Sequence, residues 1–109
     1  MSESLKKNAD FQVVYKTGKS YANKYLVMYI INNGLEKNRL GISVSKKVGN
    51  SVVRHRITRL IRESNRLNEQ QLKTGFDIVV IARASAKGKK CEEIKSAFMH
   101  LASLHKIIN

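Results

Sequence analysis

The sequence predicts an α+β domain whose helices pack on one mostly antiparallel sheet. Three observations lead there. Segments rich in β-branched and aromatic residues alternate along the chain with segments of helical periodicity. Its 109 residues suffice for one compact domain with a modest core, spanning residues 1–109, and not for two. Hydrophobic residues make up 42%, which suits a folded domain rather than a disordered tail.

The elements follow in order. Asn8 is placed to cap a short helix that runs to about Lys16 and is ended by Gly18. Residues 25–31 read as a strand, with Tyr25, Val27 and Tyr29 on one face. Asn32-Asn33-Gly34 begins a turn, and residues 39–45 form the next strand. There Leu40, Ile42 and Val44 alternate with Gly41, Ser43 and Ser45, so one face is apolar and the other small and polar. A basic helix follows over residues 51–67. Residues 76–82 are a nearly continuous apolar strand, as expected for a central position. Residues 85–90 are a basic loop. Glu92 and Glu93 then begin a last helix, with Ile94, Ala97, Phe98, Leu101, Leu104 and Ile108 at i, i+3, i+4 spacing.

The basic helix is the most informative element. Five arginines, Arg54, Arg56, Arg59, Arg62 and Arg66, are interleaved with Ile57, Leu60 and Ile61. At ~100° per residue, Val53, Ile57, Leu60, Ile61 and Leu67 fall on one side. Arg56, Arg59, Arg62 and Arg66 fall on the other, with Arg54 on the flank. Asn50 or Ser51 can cap the helix, and Gly49 supplies the turn before it. Lys46, Lys47, Arg54 and Arg56 then surround a helix N-terminus, where the dipole already attracts anions. A solvated amphipathic helix is the bland alternative. It leaves unexplained why Glu63 alone offsets these charges locally.

Charge widens the argument. Lys and Arg number 21 against 8 Asp and Glu, for a formal net charge of +13. Residues 37–66 hold nine Lys/Arg and one acidic residue. Residues 1–7 and 87–90 add smaller basic clusters. Such an excess in a folded domain indicates a polyanionic partner. A membrane surface would call for Trp, Phe or Leu facing lipid; Trp is absent, and the apolar faces are committed to a core. Nucleic acid is the better partner.

Other signals are negative. No apolar run approaches the ~20 residues of a membrane span, and the N-terminus lacks the apolar core of a secretory signal. Cys91 is alone, which excludes a disulfide framework or a cysteine metal site within the chain. A soluble cytoplasmic protein is expected. The eight acidic residues are scattered, and no Ser/His/Asp set or phosphate loop stands out, which argues against autonomous catalysis.

At this point the residues carry a resemblance. The run GISVSKKVGNSVVRHRITRLIRE (residues 41–63) resembles the signature of the bacterial ribonuclease P protein subunit. NADFQVVYKTG (8–18) is similar to that family's first helix, and DIVVIAR (77–83) to its late strand. The likeness implies an α-β-β-β-α-β-α order, with an extra short strand near residues 19–22 and a left-handed β-α-β crossover.

The function it implies is that of a subunit, monomeric within its complex, that binds a large catalytic RNA. The complex removes the 5′ leader of precursor transfer RNA, and magnesium held mainly by the RNA carries the chemistry. No catalytic or metal-ligating residue is assigned to the protein. By the same likeness, Lys46, Lys47, Arg54, His55, Arg56, Arg59, Arg62 and Arg66 meet the catalytic RNA, while Phe11, Tyr15 and Tyr29 line a cleft for the leader. His55 stands where the family commonly has asparagine; neutral imidazole also offers one donor and one acceptor.

From the residues alone, Phe11 and Val14 read as ordinary core, while the tyrosines are ambiguous, because a phenol also suits a half-exposed surface. The rival function is a plain RNA-binding module with no role in cleavage.

Overall fold

The computed structural model describes residues 2–109, so Met1 of the N-terminal basic cluster lies outside the described residues. The chain runs β1 (Glu3–Ser4), α1 (Asn8–Thr17), β2 (Lys19–Ala22), β3 (Leu26–Asn32), β4 (Arg39–Ser43), α2 (Ser51–Leu67), β5 (Phe76–Ala82) and α3 (Cys91–Leu104). Short 3₁₀ turns, Glu69–Gln71 and Ala84–Ala86, follow α2 and β5. The α+β class and the order α-β-β-β-α-β-α hold, with β1 added in front.

The five strands lie in the order β1-β4-β5-β3-β2. β4 runs parallel to β5 and to β1, while β3 is antiparallel to β5 and β2. The sheet is therefore mixed rather than mostly antiparallel. β5 is central and all but continuously buried, as its unbroken apolar run requires.

Strand alternation sends side chains to two separate cores. Leu26, Met28, Ile30, Ile78 and Val80 meet Ile57 and Ile61 of α2 and Ile94, Phe98 and Leu101 of α3. Tyr29, Ile31, Val79 and Ile81 face the other way and meet Phe11, Val14 and Tyr15 of α1. Helices thus cover both faces, α1 on one and α2 with α3 on the other. Burying a side chain such as Phe98, fully enclosed, contributes on the order of 1.5–3 kcal/mol.

Polar groups fasten the sheet. Arg39 grips Asp77 with two bonds, Nε to Oδ1 at 2.7 Å and Nη2 to Oδ2 at 2.6 Å. Asn33 Nδ2 adds a third at 2.9 Å. Burial by itself raises the Asp77 pKa, but the bonds from Arg39 and Asn33 outweigh it and hold the carboxyl below its ordinary range. On the other side, His105 Nε2 lies 2.8 Å from the Met28 carbonyl. A carbonyl can only accept, so Nε2 carries the proton.

Several expectations change in detail. Asn8 is the first helical residue rather than the cap; extended Lys7 holds the cap position, and its carbonyl accepts the Asp10 N–H at 3.0 Å. The strand begins at Leu26, so Tyr25 leaves the face of Val27 and Tyr29 and packs toward α3. The following strand ends at Ser43, because the chain turns at once, with the Val48 N–H bonded to the Ser45 carbonyl. Leu67 is 51% exposed. It sits six residues past Ile61, roughly 120° around the helix. Ile108 lies beyond α3, bridged to Leu72.

Candidate nucleic-acid interface

The basic helix starts as its sequence suggests. Asn50, not Ser51, is the cap: its Oδ1 accepts the Val53 N–H at 3.0 Å. Gly49 is needed for close approach, since a Cβ there would lie 2.8 Å from Val53 Cβ. Buried Val48 anchors the preceding turn and leaves Lys46 and Lys47 exposed beside the helix end. The first turn of α2 holds no acidic residue, so nothing there offsets the positive dipole end.

The arginines form a fan rather than sharing one side of the helix. Arg54, His55, Thr58 and Arg62 line a concavity of about 390 Å³ with Ile42 and Val44 of the β4 side. Arg62 and Arg66 also border a groove of about 470 Å³ between α2 and the N-terminal strand. Arg59 is exposed outside both hollows. Arg56 lies outside them too, as six residues of separation place it roughly 120° from Arg62.

Arg54 is half-buried against β4, and its Nε is enclosed without a hydrogen-bond partner. A buried guanidinium N–H left open in a basic hollow suits an anionic oxygen. Arg66 pairs with Glu63 through both its Nε and Nη2. That contact holds Glu63 below its ordinary range and offsets part of the local charge. Thr58 and Asn65 were not singled out by the sequence. Asn65 donates to Ser2 Oγ at 3.2 Å, and its Oδ1 is also buried without a partner. Short polar residues on a helix carry no periodic signal, so only the neighbouring strand reveals their place.

The aromatic residues converge on the opposite face. Tyr15 and Tyr29 meet edge to face at 5.2 Å between ring centroids, and Phe11 lies 6.4 Å from Tyr15. All three are half-buried above Val14 and Val79, which are fully enclosed. Gly41 makes room for them: a Cβ there would lie 2.6 Å from the Phe11 ring. Burial pushes the Tyr15 phenol pKa up, with the Ser43 hydroxyl pulling back. The phenol therefore remains protonated at neutral pH.

One strand serves both regions. Ile42 and Val44 back the arginine hollow, while Gly41 and Ser43 lie under Phe11 and Tyr15. That explains the alternation of apolar and small residues in the sequence. Among the described residues no group of three or more His, Cys, Asp or Glu is placed to hold a metal ion, and no helix is long and apolar enough to cross a membrane.

Known proteins agree with this architecture. The family described as Ribonuclease P matches residues 1–106. The chain is 69% identical to the ribonuclease P protein component of Lachnoclostridium phytofermentans, over all of this chain and 94% of that one. The structure of the Staphylococcus aureus RNase P protein superposes with a TM-score of 0.91 at 43% identity, covering 100% of both chains. The RNase P protein from Thermotoga maritima gives a TM-score of 0.85 at 34% identity, covering 94% of this chain and 96% of that one. A family match across nearly the whole length, a relative at 69% identity and the same fold mean that this chain belongs to the ribonuclease P protein family.

Proposed function

We propose that the chain acts in the cytoplasm as the RNA-binding subunit of a ribonucleoprotein that removes the 5′ leader from precursor transfer RNA. The observation that carries this reading is the division of labour across β4. A fan of arginines that begins at the N-terminus of α2 and runs along the helix lies on one face, and a half-buried aromatic triad lies on the other. The first suits the phosphates of a folded RNA. The second suits the unpaired bases of a single strand.

In this reading Lys46, Lys47, Arg54, His55, Arg56, Arg59, Arg62 and Arg66 meet the catalytic RNA. Phe11, Tyr15 and Tyr29 hold the leader. Magnesium would be held by the RNA and would supply Lewis-acid chemistry there. The described side chains offer no metal cluster of their own. Their work is to bind, orient and neutralise charge.

The test is reconstitution. Purified protein alone should leave precursor transfer RNA uncut, yet restore cleavage by a matching catalytic RNA at low magnesium. Stoichiometric cleavage by RNA-free protein, abolished by changing its acidic residues, would overturn the proposal.

A further inference from the structure

On the α3 side of the sheet, away from the aromatic triad, the turn between β2 and β3 and the stretch of α3 from Glu92 to His100 enclose an open cleft of about 470 Å³. Tyr25, Lys24, Glu92, Ser96 and His100 line it. Lys24 Nζ and Lys89 Nζ stand 5.6 and 5.5 Å from the Tyr25 ring centroid. The Tyr25 hydroxyl donates to Glu93 Oε2 at 3.4 Å, and the other oxygen of Glu93 accepts the Lys90 N–H at 3.1 Å.

The cleft is held in shape by Asn23. Its Oδ1 accepts the backbone N–H groups of Tyr25 at 3.2 Å and Leu26 at 3.0 Å. Its Nδ2 donates to the Ala97 carbonyl at 2.9 Å and contacts His100 Nδ1 at 3.2 Å. An amide nitrogen only donates, so Nδ1 accepts and the neutral imidazole carries its proton on Nε2.

A cleft with an aromatic face, a carboxylate acceptor, an imidazole donor and Lys24, with Lys89 beside the same ring, matches the parts of a single nucleotide. An exposed ammonium over a ring is weakly held, whereas a stacked base is held more strongly, so a base can displace one lysine from the ring. The released ammonium then serves the phosphate. Guanine fits the wall best. Its N1–H and N2–H groups offer adjacent donors to one carboxylate, and its O6 accepts from an imidazole. Uracil presents one such donor. Glu93 is engaged in capping α3, which leaves Glu92 as the reading group.

We propose that this cleft is a second nucleotide site, which takes one unstacked guanine nucleotide of an RNA strand, base on Tyr25 and phosphate at Lys24 and Lys89. Its position suits an extension of the α2 interface. The Arg83 N–H bonds the Tyr25 carbonyl at 2.9 Å, and Ser43 lies opposite Ile81 in the sheet. The Tyr25 turn and the chain leading to Lys46 and Lys47 therefore leave the sheet at the same end. The site is separate from the leader cleft and does not depend on it.

The experiment is an amide NMR titration of the full chain with 5′-GMP and, separately, 5′-UMP at one ionic strength. GMP should shift the signals of Tyr25, Ser96 and His100 saturably and bind roughly fivefold or more tightly than UMP. Tyr25→Ala should weaken GMP by roughly tenfold, the scale of one stacked base, while Tyr25→Phe should retain it. Glu92→Gln, a surface change that leaves the cap intact, should remove the preference for GMP. The proposal fails if these signals do not move saturably. It also fails if GMP and UMP act alike, or if Tyr25→Ala responds as the parent does. None of those failures touches RNA binding through α2.

Discussion

The basic fan and the aromatic triad occupy opposite faces of one sheet and are held there by different forces. The fan rides on Ile57 and Ile61, which are fully enclosed, while Arg59, Arg62 and Arg66 stay in solvent. Arg59 and Arg62 have no carboxylate partner among the described ion pairs, whereas Arg66 pairs with Glu63. The triad is the reverse: Phe11, Tyr15 and Tyr29 complete the smaller core with Leu5, Val14 and Val79. A change at an exposed arginine of the fan should leave packing intact, whereas a change in the triad alters packing. Arg54 and Arg56 are the exceptions on the charged side, both half-buried, with Arg54 set against the strand that both regions share.

Because β4 underlies both regions, the largest effect should come from loosening it. Arg39 fastens β4 to Asp77 of β5. Asp77→Asn strands a guanidinium whose side chain is 30% exposed, so water screens part of the loss. The cost should fall near the lower end of the range for a broken buried pair, about 3 kcal/mol. Denaturant unfolding should show it, and binding through both faces should weaken together. The pH dependence has a definite sign. The folded carboxyl sits below its ordinary pKa, so it stabilises the fold at neutral pH. That contribution is lost as pH falls through the ordinary carboxylate range and below it. The Asn variant should lack this part of the acid sensitivity.

Next in size is the triad. Tyr15→Ala or Tyr29→Ala should weaken leader-bearing precursor by about 1–3 kcal/mol each, with mature transfer RNA little affected. Filter binding of the two substrates separates the cases. Equal losses for both, with folding intact, would reduce these tyrosines to core.

The two regions also differ in how plainly the sequence announces them. The charged helix is legible down to its bounds, because seventeen residues with apolar spacing and a capping Asn50 leave little choice. Its fan is not, because a simple division into two sides puts Arg56 and Arg62 together though they lie roughly 120° apart. The central strand, residues 76–82, is equally clear. β1 escapes notice, since two residues hold no period and its pairing with β4 is long-range. Alternation groups Tyr25 with Val27 and Tyr29, but residue 25 precedes the strand, where period 2 no longer sets the face of a side chain. Family likeness, not spacing, groups Phe11, Tyr15 and Tyr29. What spacing alone could not supply was the glycine beneath Phe11 or the sheet face on which α1 lies.

The most direct test of the division between the faces is a crossed binding measurement. Arg54→Gln with Arg56→Gln removes two charges and should change stability by about half a kcal/mol or less. Its affinity for the catalytic RNA should fall, and the slope of log affinity against log salt should flatten by roughly 0.7–0.9 for each phosphate that is no longer neutralised. Its preference for leader-bearing over mature transfer RNA should persist. Tyr15→Ala with Tyr29→Ala should lose that preference and keep the parent salt slope toward the catalytic RNA. If both double variants are impaired toward the same RNA in the same way, or if the arginine variant binds the catalytic RNA with unchanged affinity and slope, the two faces do not divide the RNA between them.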